Sequence, residues 1–214
     1  MTLSLLGLLG KAHILVDSLN DVKEMHKECL EMFDFAWDAL EGKDVEKAHM
    51  VLGKDERIDD LEVKVREEVL TYLESMPAGG NVPLSLILID SANQFERMAD
   101  HICFMADSAI KYPCMADDSF SDMLREEKSL AHSMLKSVSV ALDTCDEKTA
   151  ERVLGQYEEV KKVYERIIYE VDGSDLPVHR AVGLILVSRN LLRIAKKSKC
   201  IMEFCLKPYP EAGN

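Results

Sequence analysis

Two pairs of carboxylates have the spacing that chemistry would need. Asp55 and Asp59 are four residues apart, and so are Glu96 and Asp100. In a helix, a spacing of four puts both side chains on one face, with Cβ atoms about 5–6 Å apart. Like charges so placed repel by a few tenths of a kcal/mol unless something positive offsets them. The midpoints of the pairs are equidistant from a turn signal at Pro77–Asn81. Antiparallel helices joined there would bring both pairs to one height, with Glu62 one turn further along. Oxygen donors of this kind suit hard cations such as magnesium, calcium, manganese or iron. The expected metal ligands are therefore Asp55, Asp59, Glu62, Glu96 and Asp100. The ordinary alternative is a solvated acidic face, with Arg57 and Arg97 neutralising part of the charge.

Other chemistry is poorly represented. A ferritin-like di-iron centre needs two Glu-x-x-His motifs facing a bundle interior. Only Glu46-Lys47-Ala48-His49 has that form. His101, beside Asp100, could ligate a metal, but a helical histidine is more often a satisfied surface or core residue. The chain has neither a phosphate-binding glycine loop nor a G-x-S-x-G elbow.

Helices must position these residues. Leu84, Leu88, Ser91, Phe95, Met98, Ile102, Met105 and Ala109 recur in steps of four and three, a seam for long helices packed at shallow angles. A second seam runs Val51, Lys54, Ile58, Leu61, Val65. Glu96 and Asp100 point away from the first seam, and Asp55, Asp59 and Glu62 lie at the edge of the second. The site should therefore be on the outer surface. Turn signals predict helices over 3–41, 43–75, 82–112, 118–143, 146–171 and 177–206, with Asp44 as an N-cap. The expected fold is all-α: two tandem antiparallel three-helix bundles, over residues 1–113 and 114–214.

The halves repeat. Val51-Leu52-Gly53 aligns with Val153-Leu154-Gly155, and Arg97-Met98-Ala99 with Arg193-Ile194-Ala195. Two matches in one order mark a duplicated unit. At the acidic positions the second copy differs throughout. Asp55 and Asp59 become Tyr157 and Lys161, and Glu96 and Asp100 become Leu192 and Lys196. Two lysines cannot hold a cation where two aspartates could. They are expected to pair with neighbours such as Glu158.

Composition sets the class. Of 214 residues 47% are hydrophobic and 30% charged, as in ordinary globular proteins. The net charge of −13 disfavours nucleic acid and anionic membrane surfaces. It is uneven, because residues 1–112 hold 22 acids against 11 bases. Six cysteines without a C-x-x-C pair read as reduced thiols of a cytoplasmic protein, not as zinc ligands or disulfides. The apolar stretch Met1–Leu19 lacks the basic start of a signal peptide and is broken by Lys11 and His13. It reads as the first turns of a buried helix, while docking on a membrane or partner stays open.

At Asp55-x-x-x-Asp59 and Glu96-Arg97-Met98-Ala99-Asp100-His101 the sequence resembles the PhoU family of phosphate-uptake regulators. Pro77 also stands where that family has a proline. The resemblance implies a tandem of three-helix bundles with metal clusters on the bundle surface, and no catalysis. It implies protein partners: the ATPase of a phosphate transporter and a sensor histidine kinase. Related domains form tails of sodium–phosphate cotransporters, and the apolar start would suit such a junction. A homodimer and peripheral membrane association both stay open. The altered second copy puts a second metal cluster in doubt. The remaining alternative is a metal-free helical adaptor.

Overall fold

The computed structural model describes residues 5–76, 80–144 and 147–206, with backbone only at 5–12, 141, 144, 205 and 206. Every described element is helical. They are α1 (Leu5–Gly42), α2 (Val45–Leu52), α3 (Asp55–Ser75), α4 (Val82–Lys111), α5 (Ser119–Thr144), α6 (Glu147–Asp172) and α7 (Val178–Leu206). α1, α3 and α4 pack on one another, with α2 against α1 and α4. α5, α6 and α7 form the second three-helix bundle. The bundles meet chiefly through α4 and α7, and α1 also touches α5.

One expected helix is broken. The span read as 43–75 divides at Gly53 and Lys54 into the short α2 and the longer α3. Asp44 does cap α2, accepting from the Glu46 and Lys47 amides at 3.1 Å. Gly53 ends α2, its amide donating to the His49 carbonyl at 3.0 Å while the Lys54 amide donates to the Val51 carbonyl at 3.0 Å. Lys54, read as a seam position, instead reaches Glu28 at 2.8 Å and Glu31 at 3.0 Å on α1.

The rest of the two seams is buried, with Leu61, Leu84 and Ala109 half-buried against the core. Phe95, Met98, Ile102 and Met105 of α4 are fully buried, as are Ile58 and Val65 of α3. At about 25 cal/mol per Å² of apolar surface, each large side chain contributes roughly 1.5–3 kcal/mol. Of the turn read at 76–81, Pro77 to Gly79 lie outside the described residues. Its far side is well defined. Gly80 is left-handed (φ +56°), and a Cβ there would meet the Tyr72 ring at 2.8 Å. Asn81 donates its amide to the Tyr72 hydroxyl at 3.0 Å and accepts from Leu84 N–H at 3.2 Å, capping α4.

The junction between halves is pinned in the same way. A Cβ on Gly183 would lie 2.4 Å from the Tyr112 carbonyl oxygen, so only glycine lets α7 approach the 112–118 connection this closely. Arg180 fastens that connection, donating to the Cys114 carbonyl at 2.9 Å and pairing with Asp118 at 2.6 Å. Cys29, Cys103, Cys114 and Cys200 are free thiols, and Cys145 and Cys205 lie outside the described side chains. Met1 to Ser4 are outside the described residues too. Beyond them Leu15 is buried and Ile14 packs on the core, while Val16 is exposed. No helix among the described residues is long and apolar enough to cross a membrane.

Candidate functional site

The break at Gly53 places the N-terminus of α3 at the acidic face. Asp55 and Glu56 occupy its first turn, and no side chain of Lys54 caps it. The free amides and the positive end of the helix dipole favour carboxylates there. α4 runs alongside α3, and its seam side chains are buried, which turns Glu96 and Asp100 toward α3 at the surface.

Between the two helices lies an open groove of about 490 Å³. Asp59 and Glu62 line it from α3, and Glu96 and Asp100 from α4. Four of the five expected residues thus share one site. Asp59 and Asp100 are exposed and Glu96 is half-buried, as an outer-surface site requires. Glu62 is buried, and its carboxylate is held by Arg66, one turn on. Asp55 does not line the groove. It accepts a long hydrogen bond from Cys103 Sγ at 3.5 Å. Burial, and then the Asp55 charge, push that thiol up to about 12.

The carboxylates sense one another. Partial burial, then the charges of Asp55 and Asp100, raise the Asp59 carboxyl above its ordinary range. Burial, then Asp100 and Asp59, do the same to Glu96, opposed by Arg97. A cation would lower both. The donor set is all oxygen, which suits a hard ion. Among the described residues, however, no group of three or more His, Cys, Asp or Glu is drawn together closely enough to hold a metal ion.

The expected neutralising residues are only half right. Arg97 lines the groove, but Arg57 points to α1, where it pairs with Glu24 and, at 3.6 Å, with Glu28. The cation the sequence reading missed is Arg66. Its i,i+4 spacing from Glu62 was the available signal. His101 is on another face of α4, with Nδ1 3.2 Å from Asn190 Oδ1 on α7. Glu46 and His49 are both exposed on α2, outside any bundle interior.

The second bundle carries different chemistry on the matching face. Lys161 lies 3.6 Å from Glu158, as expected. Lys199 Nζ lies 5.0 Å from the centre of the Tyr157 ring. In the register that aligns Glu96 with Leu192, Lys199 matches Cys103. The thiol–carboxylate contact of one bundle is therefore a cation–π contact in the other.

The PhoU domain model matches residues 22–109 and 124–205, one span in each bundle. The chain belongs to the PhoU family. It is 31% identical over 106 residues to the phosphate-specific transport system accessory protein PhoU homolog 2 of Thermotoga maritima, an alignment covering 47% of this chain and 44% of that protein. It is 22% identical over 200 residues to the corresponding PhoU homolog of Clostridium acetobutylicum, covering 86% and 90%. PhoU from Pseudomonas aeruginosa superposes with a TM-score of 0.84 at 21% identity, over 91% of this chain and 96% of that one. The phosphate transport system regulatory protein PhoU from Streptococcus pneumoniae gives 0.83 at 20%, over 92% and 95%. These two structures share the PhoU fold of tandem helical bundles.

Proposed function

We propose that this PhoU-family chain regulates phosphate transport and phosphate signalling by protein–protein contacts, and that a cation in its first bundle tunes those contacts. The observation that carries the reading is the family match across both bundles, together with an acidic groove kept in only one of them. The relatives are named accessory and regulatory proteins of phosphate transport, which favours a partner role over catalysis. The absence of nucleotide loops and nucleophile motifs from the sequence agrees with that role.

Asp59, Glu96 and Asp100 would hold the cation, with Glu62 as a further donor once released from Arg66 and Asp55 joining only by turning from Cys103 toward the groove. When bound, the ion would supply positive charge at the surface of an acidic bundle. Without it, the carboxylates repel one another at the edge of α3 and α4. Binding would thus change both the charge and the stiffness of the face that a partner meets. The partner is the ATPase of a phosphate transporter or a sensor histidine kinase in the cytoplasm.

The test is co-purification of the tagged chain with the transporter ATPase and the sensor kinase, with and without added manganese or magnesium. Capture of either partner, altered by the cation, is the expected result. Failure to capture either, or ATP hydrolysis or oxidase activity that a point change abolishes, would reject the reading. Capture of a sodium–phosphate cotransporter instead would assign the chain to that system.

A further inference from the structure

The seam between the bundles holds a second cavity, of about 320 Å³, distinct from the acidic groove. α4 contributes His101, Phe104 and Ser108 to its wall, and α7 contributes Leu186, Arg189 and Arg193. Arg189 and Arg193 are four apart and so share a helix face. Neither forms an ion pair among the described residues, and neither do the nearby Arg97, Lys196 and Lys197. Burial, and then Arg97, hold the Lys197 ammonium below its ordinary range, with Lys196 and Arg193 adding to the push. Acids outnumber bases 39 to 26 in this chain, so these cations are not unpaired for want of carboxylates.

Beside the arginines the wall is partly aromatic and apolar, through Phe104, Tyr112 and Leu186. Phe104, which lines the cavity, is 57% exposed and so leaves its ring open to a ligand. The Tyr112 ring lies near the same cavity, 5.2 Å from that of His179. Polar acceptors complete the lining. Asp107 is steadied by Lys111 at 2.9 Å. Asn190 donates to the Leu186 carbonyl at 2.9 Å, leaving its oxygen to accept from His101 Nδ1. In the neutral imidazole, Nε2 is then an acceptor suited to a ligand hydroxyl or N–H.

We propose that this cavity binds an organic phosphate of the nucleoside-monophosphate class, with the phosphate on Arg189 and Arg193 and a planar ring against Phe104 and Tyr112. Guanidinium forks match phosphate oxygens in pairs, and aromatic faces stack on heterocycles. Ligand pockets run from about 300 to 1,000 Å³, so this one has room for one ring system and one phosphate. The site is built once. In the register that relates α4 to α7, Arg189 matches Asn93, Leu186 matches Asp90 and Phe104 matches Cys200. The mirrored position lacks both the second guanidinium and the apolar wall. This inference is independent of the transporter reading.

Calorimetric titration of the full chain with adenosine 5′-monophosphate, inorganic phosphate and adenosine tests it. The monophosphate should bind at least tenfold more tightly than phosphate or adenosine. Arg189→Ala should weaken it at least tenfold. Arg189 is exposed and unpaired, so folding is expected to survive, and circular dichroism checks this. Arg193→Lys, which keeps the charge and loses the fork, should also weaken binding. Phe104→Ala should weaken the nucleotide but not phosphate. The proposal is overturned if the monophosphate does not bind at millimolar concentration, or if both arginine variants bind it like wild type. Equal affinity for phosphate and nucleotide, with Phe104→Ala silent, overturns it in favour of free phosphate. Binding of an acidic peptide in place of the nucleotide overturns it in favour of a protein surface.

Discussion

At one register the first bundle sets Asp55 against Cys103, and the second sets Tyr157 against Lys199. A turn further on, Asp59 faces Glu96 and Asp100 across a groove, where the second bundle carries Lys161, Leu192 and Lys196. Both bundles nevertheless bury the same stripe, Ile58 and Met98 in one, Val160 and Ile194 in the other. The core positions are constrained by packing, while the outer faces of the paired helices are not. Opposite electrostatics can therefore be placed on one architecture. The helix break at Gly53 adds a second difference, because it gives the acidic face a helix N-terminus that the continuous α6 does not provide at Tyr157.

The largest expected effect comes from making the first face like the second. Asp59→Lys with Asp100→Lys should abolish divalent-cation binding. A ligand at a hundred times its dissociation constant stabilises the folded state by about 2.7 kcal/mol. Wild type should therefore gain that order of stability on adding manganese or magnesium, and the double variant should gain none. Lys161→Ala in the second bundle should leave the gain intact, since its exposed pair with Glu158 is worth about 0–1 kcal/mol. Metal content and thermal unfolding check both. Metal retained by the double variant would show that the ion is bound elsewhere.

A second test uses the glutamate that each bundle buries. Glu62 is held by Arg66, whereas among the described residues Glu127 has only the Ser188 hydroxyl, at 2.5 Å on one oxygen, and no hydrogen-bond partner for the other. Burial raises the Glu127 carboxyl well above its ordinary range, against the pull of Ser188. The folded state therefore keeps a proton that the unfolded chain gives up. Stability is unaffected by this group below the usual carboxylate range and falls as pH rises from there toward the folded-state value. Glu127→Gln removes that slope. The variant should be more stable than wild type at neutral pH, because the amide is neutral in the fold without taking up a proton. The advantage should shrink toward pH 4. Denaturant titrations across that range decide it, and a constant difference at every pH would show that Glu127 is already charged in the fold.

Much of the architecture was readable because its signal is periodic. The run from Leu84 to Ala109 has a period only a long packed helix can satisfy, and the turn spacing alone put Asp59 level with Glu96 and Asp100. The break at Gly53 was not readable. The same Val-Leu-Gly triplet ends α2 and runs through the middle of α6, so the local residues do not decide. What differs is tertiary: Lys54 is drawn to Glu28 and Glu31 on α1, while its counterpart Gln156 donates weakly to the Ser133 hydroxyl at 3.3 Å. The direction of Arg57 depended on the same packing, which no spacing along one helix records. Nor could a single-helix pattern place Asp55 beside Cys103, since both lie at the margin of their seams.

That triplet supplies the smallest prediction. Gly155 lies within α6, and a Cβ there would have nothing within 4 Å among the described residues. Glycine in an exposed helix interior costs about 0.5–1 kcal/mol relative to alanine. Gly155→Ala should therefore raise stability by that amount. Gly53 has an ordinary right-handed backbone (φ −77°), and a Cβ would sit 3.6 Å from the His49 carbonyl oxygen. Neither strain nor a clash forbids alanine there. Because Gly53 ends one helix instead of continuing it, alanine gains little helical propensity, and Gly53→Ala should change stability by under about 0.5 kcal/mol. Equal gains at the two sites would mean that α2 and α3 can fuse into one continuous helix. The N-terminus at Asp55 would then be lost, and cation affinity in Gly53→Ala should drop with it. Unchanged affinity beside a full stability gain would show that the break positions Lys54 against α1 without contributing to the groove.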